Sequence, residues 1–413
     1  MVDYNTVADL AADFGYELSV SGAETFRIED TVVRIAASFG ITAEVFSVPN
    51  CLIVSTLTQS GQPVTRMRRI GYHGNDLDAV EKLNALSRRI CHDRPEPEMA
   101  ASWLKQTCEA IPKYPLPIYL LGHFLGAMGF SLLFGCRGTD MLISGVCGML
   151  GGILNRYMEH RNVNPFFETI FSAFLMAFIA YALNIRGLVQ DVNNAVIGAL
   201  MILVPGLLFT NAMRDIIYGD TNSGIMRFVQ VLLISSGMAL GTAVAWNAAA
   251  LLWEAPKNLA AWSNPLPVTA LGALIGCVGF SILFNIHGPG GILCALGGVV
   301  TWVAFERIQS ICSSEMFAYF AGAFFASAYA EIMARVRKYP AISYLVVSLF
   351  PLIPGKGIYY TMYYAVHGNM EQFAAQGMRT AAAAGVMAVG VLLVSTIVRF
   401  TYTCSAIHGH SNS

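Results

Sequence analysis

The chain has 413 residues, 55% hydrophobic and only 12% charged, with a formal net charge of −1 at pH 7. Soluble domains carry about 25% charged residues, so the deficit points to lipid, and the near-neutral balance gives no sign of a nucleic-acid partner. The charges are unevenly placed: residues 1–112 hold 10 Lys/Arg and 15 Asp/Glu, and the remaining 301 hold 15 and 11. The first segment reads as ordinary soluble protein. Residues 1–30 lack a basic stretch leading to an apolar run, so no signal peptide is expected. The nine cysteines are scattered without a Cys-x-x-Cys, which reads as buried free thiols and no metal or redox cofactor.

Residues 4–20 and 24–38 show helical periodicity. Residues 42–48, 51–58 and 64–70 alternate as strands, separated by Pro49-Asn50 and Ser60-Gly61-Gln62. Helices are expected at 75–92 and 98–111, split by Pro95-x-Pro97. Beyond Pro115, uncharged stretches come in spanning lengths, since a bilayer core of ~30 Å takes ~20 helical residues. Ten candidates are 116–135, 140–158, 166–185, 192–213, 228–253, 266–284, 289–305, 315–334, 341–365 and 379–401. The run 258–305 holds no charge and is cut at Asn285-Ile286-His287-Gly288-Pro289-Gly290, its strongest turn signal.

An internal repeat supports that cut. Pro115-Leu116-Pro117 recurs as Pro265-Leu266-Pro267, and Phe130-Ser131-Leu132-Leu133-Phe134 as Phe280-Ser281-Ile282-Leu283-Phe284, both offset by 150. Gly151-Gly152 matches Gly297-Gly298 at 146, and Glu168 matches Glu315 at 147. Val204-Pro205-Gly206 matches Ile353-Pro354-Gly355 at 149, as Tyr218-Gly219-Asp220 matches His367-Gly368-Asn369. Each copy holds five spans, and an odd number inverts the second copy. The expected fold is an α-helical polytopic membrane protein of about ten transmembrane helices in two inverted five-helix repeats, behind an N-terminal soluble α+β domain. The boundaries are 1–112, 113–257 and 258–413. With the head cytoplasmic, inner loops carry Arg156, Arg161, Arg214, Arg227, Arg335, Arg337 and Lys338, against outer Arg137, Arg186, Lys257 and Arg307. That excess favours head-in, in the cell inner (plasma) membrane, with both termini cytoplasmic.

Pro205-Gly206 and Pro354-Gly355 sit mid-span at matched positions. Proline removes a backbone donor and glycine adds freedom, so each pair splits a helix and frees polar backbone, a pointer to a transport site. A packing kink is the plainer reading. Lys356 follows the second break, and an ammonium in hydrocarbon costs ~3 kcal/mol or more, so it needs a partner. That partner is a substrate carboxylate or a buried acid such as Glu331 or Glu315. Tyr359, Tyr360, Thr361, Tyr363 and Tyr364 supply hydroxyls and aromatic walls, or simple packing. Asn193, Asn194, Asn211, Arg214 and Asp215 make span four polar. Asp215 suits an ammonium or a proton, or else a pair with Arg214 at the headgroups. Glu168 and Glu315 open spans three and eight, where a carboxylate complements the helix dipole, and their matched placement keeps gating or proton coupling open. Glu331 stands one turn before Arg335, the spacing of an ordinary ion pair. Glycines at 122/126, 148/152, 237/241 and 272/276 suit close helix packing. No Gly-x-Ser-x-Gly elbow or P-loop occurs, so neither hydrolase nor ATP-driven chemistry is expected.

The head carries Ser21-Gly22-Ala23-Glu24-Thr25-Phe26-Arg27-Ile28-Glu29-Asp30-Thr31, then Thr65-Arg66-Met67-Arg68-Arg69-Ile70 and Leu83-Asn84-Ala85-Leu86-Ser87-Arg88-Arg89-Ile90. These resemble the N-terminal domain of the threonine/serine exporter (ThrE) family. Val204-Pro205-Gly206, Asn211-Ala212-Met213-Arg214-Asp215, Gly219-Asp220-x-x-Ser223-Gly224 and Phe350-Pro351-Leu352-Ile353-Pro354-Gly355 look like the same family, so the resemblance covers almost the whole chain. It implies ten spans and export of small amino acids driven by the proton gradient. Some relatives divide head-plus-first-repeat and second repeat between two subunits, a pair associated with dicarboxylate (succinate) export; here both parts are fused. The head motif, with Ser21, Gly22, Glu24, Arg27, Glu29 and Asp30, reads as a capped helix start docking the head through ion pairs, or as a regulatory ligand site.

The expected function is a secondary transporter, an antiporter exporting threonine or serine. Lys356 and half-helix amino-termini would hold the carboxylate, and Asp215 or Glu168 the ammonium or proton. The partners are the small-molecule substrate and the bilayer, with a homo-oligomer left open. A dicarboxylate exporter, with Arg214 as second cation, and a membrane-anchored sensor or enzyme are the alternatives.

Overall fold

The computed structural model describes residues 3–71, 74–259, 263–337 and 341–410. Lys338, counted above among the inner-loop cations, lies outside them.

The chain opens with helices α1 (Tyr4–Val20) and α2 (Thr25–Ser38), then strands β1 (Ala43–Val48), β2 (Cys51–Leu57) and β3 (Pro63–Arg69), then α3 (Leu77–Asp93) and α4 (Pro97–Glu109). The strands form one antiparallel sheet in the order β1-β2-β3, with Val45 opposite Val54 and Val54 opposite Arg66. Alternation along β2 turns Leu52, Val54 and Thr56 inward and leaves the other face wetter. Phe14, Leu18, Val32, Ile35, Leu83 and Ile90 complete the core. Arg66 and Arg68 of β3 reach Asp9 and Asp13 of α1 at 2.7–3.2 Å. These pairs are half exposed and each contributes about 0–1 kcal/mol. The compact unit holding these elements comprises Met1–Tyr114 together with Arg214–Arg227 and Phe284–His287. Asn285, in a left-handed turn with φ of 58°, anchors the last segment by donating to both Asp76 carboxylate oxygens and to the Pro112 carbonyl.

The second unit contains α5 (Leu116–Leu133), α6 (Thr139–His160), α7 (Pro165–Ile185), α8 (Val192–Leu200), the start of α9 (Gly206–Tyr218) and most of α10 (Thr221–Leu252). It continues with α11 (Leu266–Leu283), α12 (Gly290–Cys312), α13 (Glu315–Arg337), α14 (Ala341–Leu349), a 3-10 turn at Phe350–Leu352, α15 (Gly355–Val366) and α16 (Met370–His410). Among the described residues, α5, α7, α10, α11, α12, α13 and α16 are long and apolar enough to cross a membrane, seven in all. An eighth is the pair Ala341–Leu352 plus Gly355–Val366, bent by 54°. Their outward faces carry Leu121, Phe171, Leu233 and Ile292, about half exposed or more, as lipid contact requires and water does not tolerate in such number. This is a polytopic α-helical membrane protein. Of the other expected spans, α6 carries Asp140, Asn155 and Arg156, and 192–213 is divided into α8 and α9 of 9 and 13 residues. Helices also overrun the uncharged runs, because helical hydrogen bonding does not stop where lipid does. Arg214, Arg227, Arg335 and Arg337, expected in loops, lie on helical turns.

The closest helix contact is between α5 and α11, which run antiparallel. A Cβ at Gly129 would lie 2.7 Å from the Gly272 carbonyl oxygen, and one at Gly279 the same distance from that of Gly122. Gly126 and Gly276 complete the contact from either side. Lipid tails are as apolar as leucine, so helices in a bilayer associate through such close packing. At its centre Phe130 and Phe280 meet edge-on, with ring centroids 5.5 Å apart.

Gly129→Val should therefore cost about 1–3 kcal/mol of overpacking. In purified protein its melting temperature should fall well below that of Gly71→Ala, where an added methyl meets nothing. Equal melting temperatures would show that α5 and α11 do not depend on this contact.

Candidate functional site

Both Pro-Gly sites break their helices in the same way. Gly206 N–H donates to the Val204 carbonyl at 2.8 Å, and Gly355 N–H to the Ile353 carbonyl at 2.6 Å. Each bond closes a three-residue turn around the proline, and Pro354, at φ −75° and ψ 51°, has the inverse γ-turn geometry. The next helix then starts with Phe209 N–H to Pro205 O and Ile358 N–H to Pro354 O, both 2.9 Å. The two breaks meet. A side chain on Gly206 would strike Ile353, and one on Gly355 would lie 2.9 Å from Val204. Phe350, just before the second break, packs on both Phe130 and Phe280.

Lys356 projects from the first turn of α15. Its Nζ donates to Asn194 Oδ1 at 3.0 Å and stands 5.5 Å from the Phe134 ring centre. Asn194 in turn donates from Nδ2 to Asp191 Oδ2 at 2.8 Å. Asp191 is fully buried and caps α8, accepting from the Asn194 amide at 3.2 Å. Behind it, buried Asp140 accepts from the amides of Gln190 and Asp191 at 3.0 and 2.8 Å. The lysine is therefore balanced by an amide that relays to a carboxylate, and among the described residues neither Glu331 nor Glu315 hydrogen-bonds to it. A cavity of about 380 Å³ runs past Pro354, Lys356 and Tyr360 to Glu315 and Arg379. Glu315 accepts from Arg379 Nε at 2.9 Å, and Arg379 is well exposed. The arrangement offers two cations and one acid to a small zwitterion or anion, beside backbone that the breaks leave outside regular helix.

Residues 9–248 match the ThrE family, and residues 269–397 match a companion family described as threonine/serine exporter, ThrE. The chain belongs to the threonine/serine exporter family. It is 23% identical over 420 residues to the threonine/serine exporter of Corynebacterium glutamicum, covering 97% of this chain and 84% of that protein. It is 21% identical over 228 residues to the probable succinate transporter subunit YjjP of Klebsiella aerogenes, covering 54% of this chain and 86% of the subunit. Pheromone-regulated membrane protein 10 of Eremothecium gossypii is 21% identical over 354 residues, 81% of this chain and 46% of that one. No solved structure matches it.

Within this family member the expected site residues divide into groups. Pro205, Gly206, Pro354, Gly355, Lys356, Asn194 and Tyr360 gather at the breaks, and Glu315 joins them through the cavity. Tyr359 is buried beside Tyr360 and Tyr363. Asn193 is exposed, its amide donating to Asn258 at 3.3 Å, and Asn211 is half-buried along α9. Glu168 opens α7, and Glu331 pairs with Arg335 at 3.7 Å. Asp191, Asp140 and Arg379 were missed. An Asp just ahead of an apolar run is a helix-cap signal, and it could have flagged Asp191.

Arg214 and Asp215 lie in the head's unit. Arg214 binds Glu24 at 2.7 Å, Asp215 pairs with Arg227 at 3.0 Å, and Arg227 also donates to Thr25 Oγ1 at 3.4 Å. The head motif thus meets charges from α9 and α10, and two details depart from expectation. Glu24 precedes α2 without capping it, because its carboxylate is taken by Arg214. Glu29 accepts the Ser47 amide at 2.8 Å where an ion pair was expected, while Asp30 does pair, with Arg34. Ser21 donates to the Glu17 carbonyl, and Gly22 takes a left-handed φ of 91° at a place where a Cβ would also strike the Gly74 carbonyl. Burial alone would raise the Glu24 carboxyl, but Arg214, Arg27 and Arg227 together outweigh it and hold it below its usual range.

A carboxyl held low stabilises the fold above its ordinary pKa and loses that contribution as the pH falls through its folded value. Glu24→Gln should lower stability at pH 7 by about 2–3 kcal/mol, the scale of a lost charge-assisted bond to a buried group. The gap between parent and variant should narrow as the pH falls below the ordinary glutamate range, about 4.3, and close only once the folded carboxyl is itself protonated. Melting curves across an acid-to-neutral series check both, and a gap independent of pH would remove the ion pair as its cause.

Proposed function

We propose that the chain is a secondary transporter exporting small amino acids, threonine and serine foremost, across the inner membrane in exchange for protons. The observation that carries this is the meeting of the two Pro-Gly breaks beside Lys356. The frame is ten spans in two inverted repeats, 113–257 and 258–413, behind a cytoplasmic α+β domain, 1–112, with the C-terminus also cytoplasmic. The antiparallel, reciprocal glycine contacts of α5 and α11 support the inversion, since matched residues exchange partners across the contact. In that frame α6 and the broken α8–α9 pair are the remaining two spans.

Lys356 and the start of α15 hold the substrate carboxylate, where the helix dipole and first-turn amides favour an anion. The ammonium lies toward Glu315, on the same cavity. Asp215 has left this role to Glu315, because Arg227 already occupies it. Proton coupling runs through the acids near the cavity, Asp191 and Glu315, with Glu168 as a gate at the start of α7. Rocking of one five-helix half against the other exposes the breaks to each side in turn.

A dicarboxylate substrate is the second reading, favoured by one observation. Arg379 places a second cation on the cavity with Lys356, the role first given to Arg214. The likeness to the succinate transporter subunit points the same way. Counterflow in proteoliposomes separates the two: threonine exchange without succinate exchange supports the first reading, and the reverse supports the second. Lys356→Met should lower exchange at least tenfold, which corresponds to about 1.4 kcal/mol of lost binding, while leaving the yield of folded protein unchanged. Asn194→Ala should lower it less, since Asp191 remains nearby. Undiminished exchange by Lys356→Met removes the lysine from the mechanism.

A further inference from the structure

The head has a polar groove that the transport reading does not use. It lies between α2 and α3, with a volume of about 420 Å³. Arg27, Thr31 and Arg34 line one wall at the spacing of a single helix face, and Asn84, Ser87 and Arg88 line the other. Two packed helices normally bury apolar side chains between them, and here they face each other with donors. Asn84 is only 6% exposed, yet its Nδ2 makes no hydrogen bond among the described residues. The Nε of Arg27 is buried and unbonded in the same way. Buried donors are almost always paired, so two on one groove call for an acceptor. The charges agree. Three guanidinium groups face one carboxylate, Asp30, which is already shared with Arg34 at 2.8 Å.

We propose that this groove binds a phosphate group, either free or carried by a small metabolite. A dianionic phosphate matches the net charge of two, and guanidinium forks suit its oxygens. Geometry separates it from a carboxylate. The donors stand on opposite walls, and a tetrahedral phosphate accepts on several sides at once, whereas a carboxylate offers its lone pairs in one plane. The volume leaves room for an organic part. Arg27 also acts on the Glu24 carboxylate, so an anion in the groove would compete for a cation of the Glu24–Arg214 cluster.

The test is titration calorimetry on the full chain in detergent at constant ionic strength, with inorganic phosphate, AMP and succinate as probes. The expected result is saturable one-to-one binding of phosphate or AMP, weakened at least tenfold by Arg88→Gln and by Asn84→Leu. Tighter AMP than phosphate identifies a phosphorylated metabolite, and equal affinities identify free phosphate. Arg88 is exposed, so its variant carries the test even where Asn84→Leu fails to fold. No saturable binding of either phosphate probe, affinity unchanged by Arg88→Gln, or succinate bound as tightly as phosphate would each overturn the proposal.

Discussion

The contact of α5 with α11 is what the rest of the membrane region depends on. Glycines on both helices bring backbone against backbone, where any side chain would hold them apart. In a bilayer this closeness replaces the hydrophobic effect as the source of association. The consequences follow along the chain. With the helices touching, Phe130 reaches Phe280, and both reach Phe350. Phe350 opens the 3-10 turn that ends in the Pro354 break, so the glycine contact fixes where that break stands.

The two breaks share one backbone geometry, and their chemistry is unequal. The residue matched to Lys356 in the first copy is Leu207. The lysine is met from across the pair by Asn194 and Asp191, which have Ser343 and Pro340 at the matched positions of the second copy. The start of α15 therefore brings the cation, and the start of α8 brings its counter-charge. The charge of the lysine is thus balanced through a neutral amide, with no carboxylate bonded to it directly among the described residues.

The head shows how far an apparently soluble segment draws on the membrane sequence. Its compact unit includes Arg214–Arg227 and Phe284–His287, held by Glu24–Arg214, Asn285–Asp76 and the stacking of Tyr114 on His287, with ring centroids 4.2 Å apart. Charge sets the arrangement. Arg214, Asp215 and Arg227 lie at the ends of apolar stretches, where they need partners, and Glu24 and Thr25 provide them.

By itself the sequence determined whatever is local or periodic. Hydropathy marked the long apolar helices, alternation marked β1, β2 and β3, and the Pro-Gly pairs marked both breaks, since each rests on a few neighbouring residues. The Asn285–Gly290 turn was legible for the same reason, lying between α11 and α12. Partnership was not legible. Lys356 bonds to a residue 162 positions away, and Glu24 to one 190 away. No pattern within either segment encodes such a pairing, because it depends on which distant elements the fold brings together. Only the tertiary structure could assign Asn194 rather than Glu331 to the lysine, and Arg227 rather than Arg214 to Asp215.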